Sequence, residues 1–532
     1  MALAVLGGGG YGAYQVAFGG GDGSDGAQDA EVAAAREQVQ KFLDAWAENK
    51  PALAGKFTDT PAGAESLIRS VMTNLKPERA ELVAAAGEKR DSGEVSVPFR
   101  VRLGIPSAGE LAYNSRASVV KRSGTWTVAF GTPLVHPELA PGQTLALKSS
   151  GRRAPVLDAE GDDLRAPSLR GLVDGDGKGI SGLEARYDKE LSGGGSGRAV
   201  VIADRASGRP VTDLAPTGEG RRKGGREGTP IRTTIDPKVQ EAAADALEGV
   251  GKNAAIVAVE PSTGHVLAVA NKPGTGLNRG LAGQYPPGST FKVVTAAALL
   301  KSGLGPGDAA ACPKFAEVDG QRFENQNRFT LPAGSTFRDS FAHSCNTFFV
   351  GARDRVAGSV LPETAKAFGI GGHWDTGAGG YSGSVPVPRT DNELAAAALG
   401  QARVEASPLV MASIAATVKD GTFKQPVLVP GQVKNRHAAP SRLGPEVLSG
   451  LREMMRATVT EGAGHALRGV PGEPHAKTGT AEYGTAKPPR THAWMIGYQG
   501  RDDLAWSVFL EDGGSGGSDA GPVAARFLRN LA

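Results

Sequence analysis

The sequence predicts a multidomain α+β protein, and three observations predict it. At 532 residues the chain is too long for a single core. Along residues 31–147 the apolar spacing changes from helical to strand-like, as in a small α+β module. Residues 229–532 carry strand patterns at both ends and a long Ala-rich helical stretch between them. With 59 basic and 56 acidic side chains the net charge is +3, which gives no case for nucleic-acid binding.

Ala2 to Phe18 is apolar and uncharged but short, and it is broken by Gly7 to Gly10. No Lys or Arg precedes it, so it reads as the remnant of a membrane anchor whose basic flank lies upstream. The plain alternative is a floppy Gly-rich tail. Asp22 to Asp29 is rich in Gly, Ser and Asp and is expected to be a tether, so 1–30 is anchor remnant and tether.

Val32, Ala35, Val39, Phe42, Leu43 and Trp46 recur on one helical face, and Leu67, Ile68, Val71, Met72 and Leu75 on another. Val95, Val97, Phe99, Val101 and Leu103 then alternate, as do Trp126, Val128 and Phe130. This module, 31–147, shows no catalytic triad or metal cluster and is expected to support or bind. Residues 148–228 are dense in Gly, Asp and Arg with brief strands such as Ala199 to Ile202, and read as an irregular linker. Arg221, Arg222, Lys223 and Arg226 within it read as a solvated loop, with polyanion contact as the alternative.

In 229–532, Asp236 suits a helix N-cap and Pro237 the first helical position. Ala255 to Val259 and Val266 to Ala270 read as a hairpin. Ala493 to Tyr498 and Leu504 to Leu510 read as a second strand pair. Both termini of this region are therefore expected to build one sheet, with a helical lobe beside it. Cys312 and Cys345 are the two cysteines, too few for a disulfide framework or a four-ligand metal site. One bridge is all they can make, and the sequence leaves their pairing open.

Ser-x-x-Lys occurs twice. Ser118 and Lys121 lie in a strand pattern, where positions i and i+3 point to opposite faces. Ser289 and Lys292 open a helix, where such positions share a face, so Lys292 can reach the Ser289 hydroxyl. The helix start also offers free N–H groups for an oxyanion. Ser344-Cys345-Asn346 places a hydroxyl and an amide toward one cleft. Lys477-Thr478-Gly479-Thr480 reads as a strand that combines a cation and hydroxyls for a carboxylate. Its Gly479 is expected to clear room for a substrate backbone, and the Thr480 N–H suits an oxyanion. Taken singly, each word is also an ordinary cap, turn or exposed strand.

Together the three words stand in a fixed order, 55 and then 133 residues apart. This order resembles the penicillin-recognising serine acyl-transferases. Tyr285-Pro286-Pro287-Gly288, Gly400-Gln401, the run Lys477 to Glu482 and the run Glu511 to Gly517 are similar to class B penicillin-binding proteins. Gly179 to Glu184 with Tyr187 is similar to their linker or dimerisation region. Residues 31–147, ending in His136-Pro137-Glu138-Leu139, resemble the N-terminal domain of the low-affinity penicillin-binding proteins behind methicillin resistance, a nuclear-transport-factor-like cone. The C-terminal fold implied is the β-lactamase-like transpeptidase, an antiparallel sheet flanked by helices.

The resemblance implies a peptidoglycan D,D-transpeptidase. Ser289 is the nucleophile and Lys292 its base, Ser344 relays the proton, and Asn346 holds Lys292 and the donor peptide. Lys477, Thr478, Gly479 and Thr480 bind the terminal carboxylate, and the N–H groups of Ser289 and Thr480 form the oxyanion hole. No metal or organic cofactor is implied. The implied partners are stem peptides, β-lactams, the membrane and other wall-synthesis proteins, with the bulk of the chain outside the membrane. A β-lactam or muropeptide sensor, or a D,D-carboxypeptidase or β-lactamase using water, stays open, because the motifs do not separate an amine acceptor from water. Glu393 is the nearest candidate for a deacylating base, and its helical context suits a cap or surface residue.

Overall fold

The computed structural model describes residues 24–106, 108–149, 153–174, 177–193, 198–214, 227–486 and 488–532. The apolar stretch 2–18 and the basic run 221–226 lie outside the described residues. Among the described residues no helix is long and apolar enough to cross a membrane. The chain divides into two compact units, Met1–Gly151 with Gly195–Arg226, and Arg152–Gly194 with Glu227–Ala532.

In the first unit the helix Ser24–Ala47 buries Ala35, Val39, Phe42, Leu43 and Trp46 on one face. Residues 24–29, expected as tether, are its first turns. One glycine does not outweigh the run of Ala, Glu and Gln that follows, and a helix once nucleated extends cheaply. The helix Pro61–Leu75 buries Leu67, Ile68, Val71, Met72 and Leu75. The first lies on a five-stranded sheet whose Val95–Ile105 strand turns Val95, Val97, Phe99, Val101 and Leu103 inward, and the second lies on the strand Gln143–Ser149, where Asn74 Nδ2 donates to Leu145 O at 3.0 Å.

The expected linker does not stay together. Its strand Arg198–Asp204 pairs with Gln143–Ser149 in the first unit, where Val200 and Ile202 join the core. Its earlier part sends Leu164, Leu169, Leu183, Tyr187 and Leu191 into the core of the second unit. Nothing local to 148–228 announces this division, because the burial partners lie far away in sequence.

The second unit is built on one antiparallel sheet of β1 (Ala254–Val259), β2 (Val266–Lys272), β3 (Pro474–Tyr483), β4 (Arg490–Gln499) and β5 (Ala505–Leu510), in the order β2-β1-β5-β4-β3. The first and last strands are neighbours at its centre, with Ile256 opposite Val508. Strand alternation splits the apolar residues between two faces. Ile256, Ala258, Met495, Trp506 and Val508 meet the helices Pro237–Leu247 and Gly521–Asn530. Val257, Val259, Trp494, Ile496 and Phe509 meet the large helical lobe. Asp236 caps its helix as expected, accepting from Lys238 N at 2.9 Å and Val239 N at 3.0 Å. Strand β3 ends the sheet and leaves one edge open.

The packing of residues 153–193 is testable. A chain cut to 228–532 exposes the apolar surface that Leu164, Leu169, Leu183, Tyr187 and Leu191 cover, and it loses the Val156–Ile231 pairing. Thr229 N donates to Glu190 O at 2.8 Å, so 152–194 can be joined to 227–532 by a short link. The shorter chain should melt at least about 5 °C below the joined one. Equal melting temperatures in calorimetry would refute this packing.

Candidate active site

The turn Gly288–Phe291 is a single 3₁₀ turn that runs into α1 (Lys292–Lys301). Gly288 sits at φ +53°, and a Cβ there would lie 2.7 Å from Thr480 O, so only glycine fits. Thr290 Oγ1 donates to Pro287 O at 2.7 Å, and Trp494 Nε1 donates to Pro286 O at 3.1 Å. In a 3₁₀ turn residues i and i+3 eclipse, which aims Ser289 and Lys292 the same way. Ser289 is half-buried, while Thr290, Phe291 and Lys292 are buried.

Lys292 is 0% exposed. Its Nζ donates to Asn346 Oδ1 at 2.6 Å, Ser344 O at 2.9 Å and Ser344 Oγ at 3.3 Å. The spacing predicts contact with the Ser289 hydroxyl; among the described residues no hydrogen bond joins the two. The lysine is oriented instead by the loop between α2 (Phe337–Ala342) and α3 (Asn346–Gly351). A reciprocal capping box of Thr336 and Asp339 starts α2. Ser344 holds φ +62°, and a Cys312–Cys345 disulfide ties the loop to a segment 33 residues earlier. Asn346 Nδ2 donates to Glu324 O at 2.9 Å, so the amide has a protein partner on each side.

From the sheet, β3 contributes Lys477, Thr478, Gly479 and Thr480. Thr480 Oγ1 accepts from Gly516 N at 3.2 Å. Gly479 has a reason to be glycine in addition to the one expected. A Cβ there would meet the Thr290 side chain at 2.8 Å, Thr290 N at 2.9 Å and Pro287 O at 3.0 Å. The missing side chain admits the nucleophile turn, so the turn lies against β3. Lys477 is 0% exposed, and its Nζ donates to Thr478 O at 3.0 Å. Thr480 is half-buried and reaches the cleft.

The two lysines share an apolar pocket that the motifs do not announce. Lys292 Nζ lies 5.2 Å from the Phe349 ring centre and Lys477 Nζ 5.6 Å from that of Phe341. Among the described residues neither has a carboxylate within 4 Å. Burial, and then the charge of Lys477, hold the Lys292 amine well below the usual lysine range. Burial pushes Lys477 down to about 7. The word Phe337…Phe341…Phe348-Phe349 carried this signal as helical apolar spacing, without saying what it would cover.

The other candidates fall outside this cluster. Ser118 lies in the strand Gly109–Arg122, its hydroxyl bonded to the Glu94 carboxylate, and Lys121 pairs with Glu31 at 3.3 Å. Glu393 lies in α4 (Asp391–Ala398), ion-paired to Arg403 and accepting from Arg389 N at 2.7 Å. The Arg403 bond, then the Arg389 N–H, hold its carboxyl below the usual range. It is an engaged structural carboxylate.

Comparisons with known proteins agree with this geometry. Residues 254–529 match the penicillin binding protein transpeptidase domain, and residues 34–143 the NTF2-like N-terminal transpeptidase domain. The peptidoglycan D,D-transpeptidase PbpA of Mycolicibacterium smegmatis is 32% identical over 404 residues, 64% of this chain and 78% of that protein. The protein of the same name from Mycobacterium tuberculosis is 30% identical over 376 residues, 60% and 74%. A ceftriaxone acyl-enzyme complex of penicillin-binding protein A from M. tuberculosis superposes with TM-score 0.59 at 25% identity, covering 72% of this chain and 99% of that one.

The depressed Lys477 has a consequence for stability. Between about pH 7 and the ordinary lysine value the unfolded chain keeps this proton and the folded chain releases it. Lys477 therefore destabilises the fold most below pH 7, and the penalty fades as pH rises. Lys477→Met should raise the melting temperature most near pH 6–7, and the gain should shrink toward pH 10. A gain that does not change with pH would refute the shift.

Proposed function

Because this chain belongs to the penicillin-binding protein transpeptidase family, we propose the following roles for its residues in peptidoglycan D,D-transpeptidation. The observation that carries them is Lys292: fully buried, without a carboxylate partner, one 3₁₀ turn from Ser289 and bonded to Ser344 Oγ.

Burial favours the neutral form of Lys292, and that form, donating its two N–H groups to Asn346 Oδ1 and Ser344 O, keeps a lone pair that can take the Ser289 proton as Oγ attacks the carbonyl between the last two D-alanines of a stem peptide. The N–H groups of Ser289 and Thr480 face the developing oxyanion, each contributing roughly 10²–10³ in rate. Lys292 returns the proton through Ser344 Oγ to the departing D-alanine nitrogen, and the C–N bond breaks to leave the acyl-enzyme. An amine of a second stem peptide attacks that ester, Ser289 regains its proton, and the new peptide bond is the cross-link. β-Lactams acylate the same serine.

The Thr478 and Thr480 hydroxyls make the direct contacts to the terminal carboxylate. Lys477, beneath the strand, adds positive potential from below, and the arriving carboxylate favours its charged form. Asn346 positions Lys292. The chain works on the outer side of the membrane, where stem peptides are, with the first unit as its support.

Two measurements test these roles. Ser289→Ala should abolish covalent labelling by a fluorescent penicillin, while Ser118→Ala should label like the wild type; surviving label in Ser289→Ala would overturn the nucleophile. The second concerns water. Glu393 is committed to Arg403, and the opened β-lactam stays tethered where an acceptor amine would enter, so the penicilloyl adduct should persist for many minutes, unchanged by Glu393→Gln. Intact-protein mass spectrometry after removal of free penicillin reads this directly. Loss within seconds would move the reading to a β-lactamase.

A further inference from the structure

The open edge of β3 is not open along its whole length. Gln401 lies just past α4, and its carboxamide faces the Glu482 peptide; the amide orientation assigned by matching donors to acceptors has Nε2 donating to Glu482 O and Oε1 accepting from Glu482 N, 3.0 Å each. This is the pairing a neighbouring strand would make. In an antiparallel strand every second residue turns both backbone groups to the same side. Glu482 therefore shares its outward direction with Thr480, whose C=O lies against Gly288. Gln401 and the nucleophile turn occupy successive outward-facing peptides of the strand that carries the oxyanion N–H.

The segment that holds Gln401 is itself tied to the catalytic elements. Thr295 Oγ1, on the helix of Lys292, donates to Ala398 O at 2.9 Å. Gly288 N donates to Gly400 O at 2.9 Å, and Gln401 N to Ala396 O at 3.0 Å. A Cβ at Gly400 would lie 2.3 Å from Gly288 O, so this turn is pressed against the Ser289 turn. The end of α4 is thus bonded to α1 and to the nucleophile turn, and Gln401 extends the same connection across to β3.

We propose that Gln401 is a positioning residue for acylation: its side chain acts as one residue of an added strand, closing the sheet edge at Glu482 and holding the Thr480 peptide in place beside Ser289. This rests on the roles given above for Ser289 and Thr480. It touches neither substrate nor reacting atoms. It also ends the edge that an extended donor peptide can use: a donor with its carboxylate at Thr478 and Thr480 runs toward Glu482 and finds that peptide taken.

The double hydrogen bond gives a test that simple loss of packing does not imitate. A protonated carboxyl has the same donor and acceptor as a carboxamide, and a carboxylate has only acceptors. Second-order rates of acylation by a fluorescent penicillin are measured from pH 5 to 8 for the wild type, Gln401→Met and Gln401→Glu, with melting temperatures alongside and Ser289→Ala as control. Gln401→Met should be slower by about 10-fold at every pH, as expected for two lost hydrogen bonds. The Gln401→Glu ratio should be highest at pH 5, where part of the carboxyl still carries its proton, and fall to the Gln401→Met level by pH 8. Dividing by the wild-type rate at each pH removes the titration of the lysines. Gln401→Met within about 2-fold of wild type, or a Gln401→Glu ratio that stays flat with pH, overturns the proposal while leaving the reaction standing. A wild type that takes no label at Ser289 overturns the reaction and this inference with it.

Discussion

The buried amine of Lys292 is the constraint on which the rest of the site depends. A lysine removed from water is costly as a cation, and the cost is lowered by releasing the proton or by hydrogen bonds that compensate. This chain uses both. Burial and, among the described residues, the absence of a carboxylate disfavour the charge, while Asn346 Oδ1, two oxygens of Ser344 and the face of the Phe349 ring compensate it. Satisfying Lys292 therefore determines where Ser344 stands, and with it the proton path. The left-handed backbone at Ser344 and the disulfide beside it hold that loop to one geometry.

The second constraint is contact between backbones. The nucleophile turn belongs to the helical lobe and the oxyanion strand to the sheet, and they meet through glycines. Gly288 lies against Thr480 O, Gly479 against Thr290 and Pro287, and Gly516 against the Gly479 and Trp494 carbonyls. A methyl group at Gly288 or Gly479 would force the two halves apart. Such contacts hold a distance more firmly than long side chains do, because fewer torsions can relax. Trp494 adds a directional bond from the sheet to Pro286.

These two constraints explain the division of charge in the site. Lys292 and Lys477 approach the cleft from different elements, and each raises the cost of protonating the other. With both buried and neither paired to an acid, a base and a source of positive potential coexist within one small pocket. Glu393, outside this cluster, is held by Arg403 and leaves this balance undisturbed.

Much of this was legible because it is local. Ser289 and Lys292 are one turn apart, Ser344 and Asn346 flank one residue, and the alternation of Val95, Val97, Phe99, Val101 and Leu103 puts these side chains on one face of their strand. The helix faces of Phe42 and Trp46, or of Leu67 and Val71, follow from spacing in the same way. The unread features all depend on residues distant in sequence. The pairing of Cys312 with Cys345, the sharing of 148–228 between two units, the reason for Gly479, and the Lys292 bonds to the Ser344 loop are examples. The sequence by itself determined which chemical groups the site has and the elements that carry them, since propensity and periodicity act over a few residues. Only the tertiary structure decided which of those groups meet, because burial and hydrogen-bond satisfaction are settled by whatever the folded chain brings alongside.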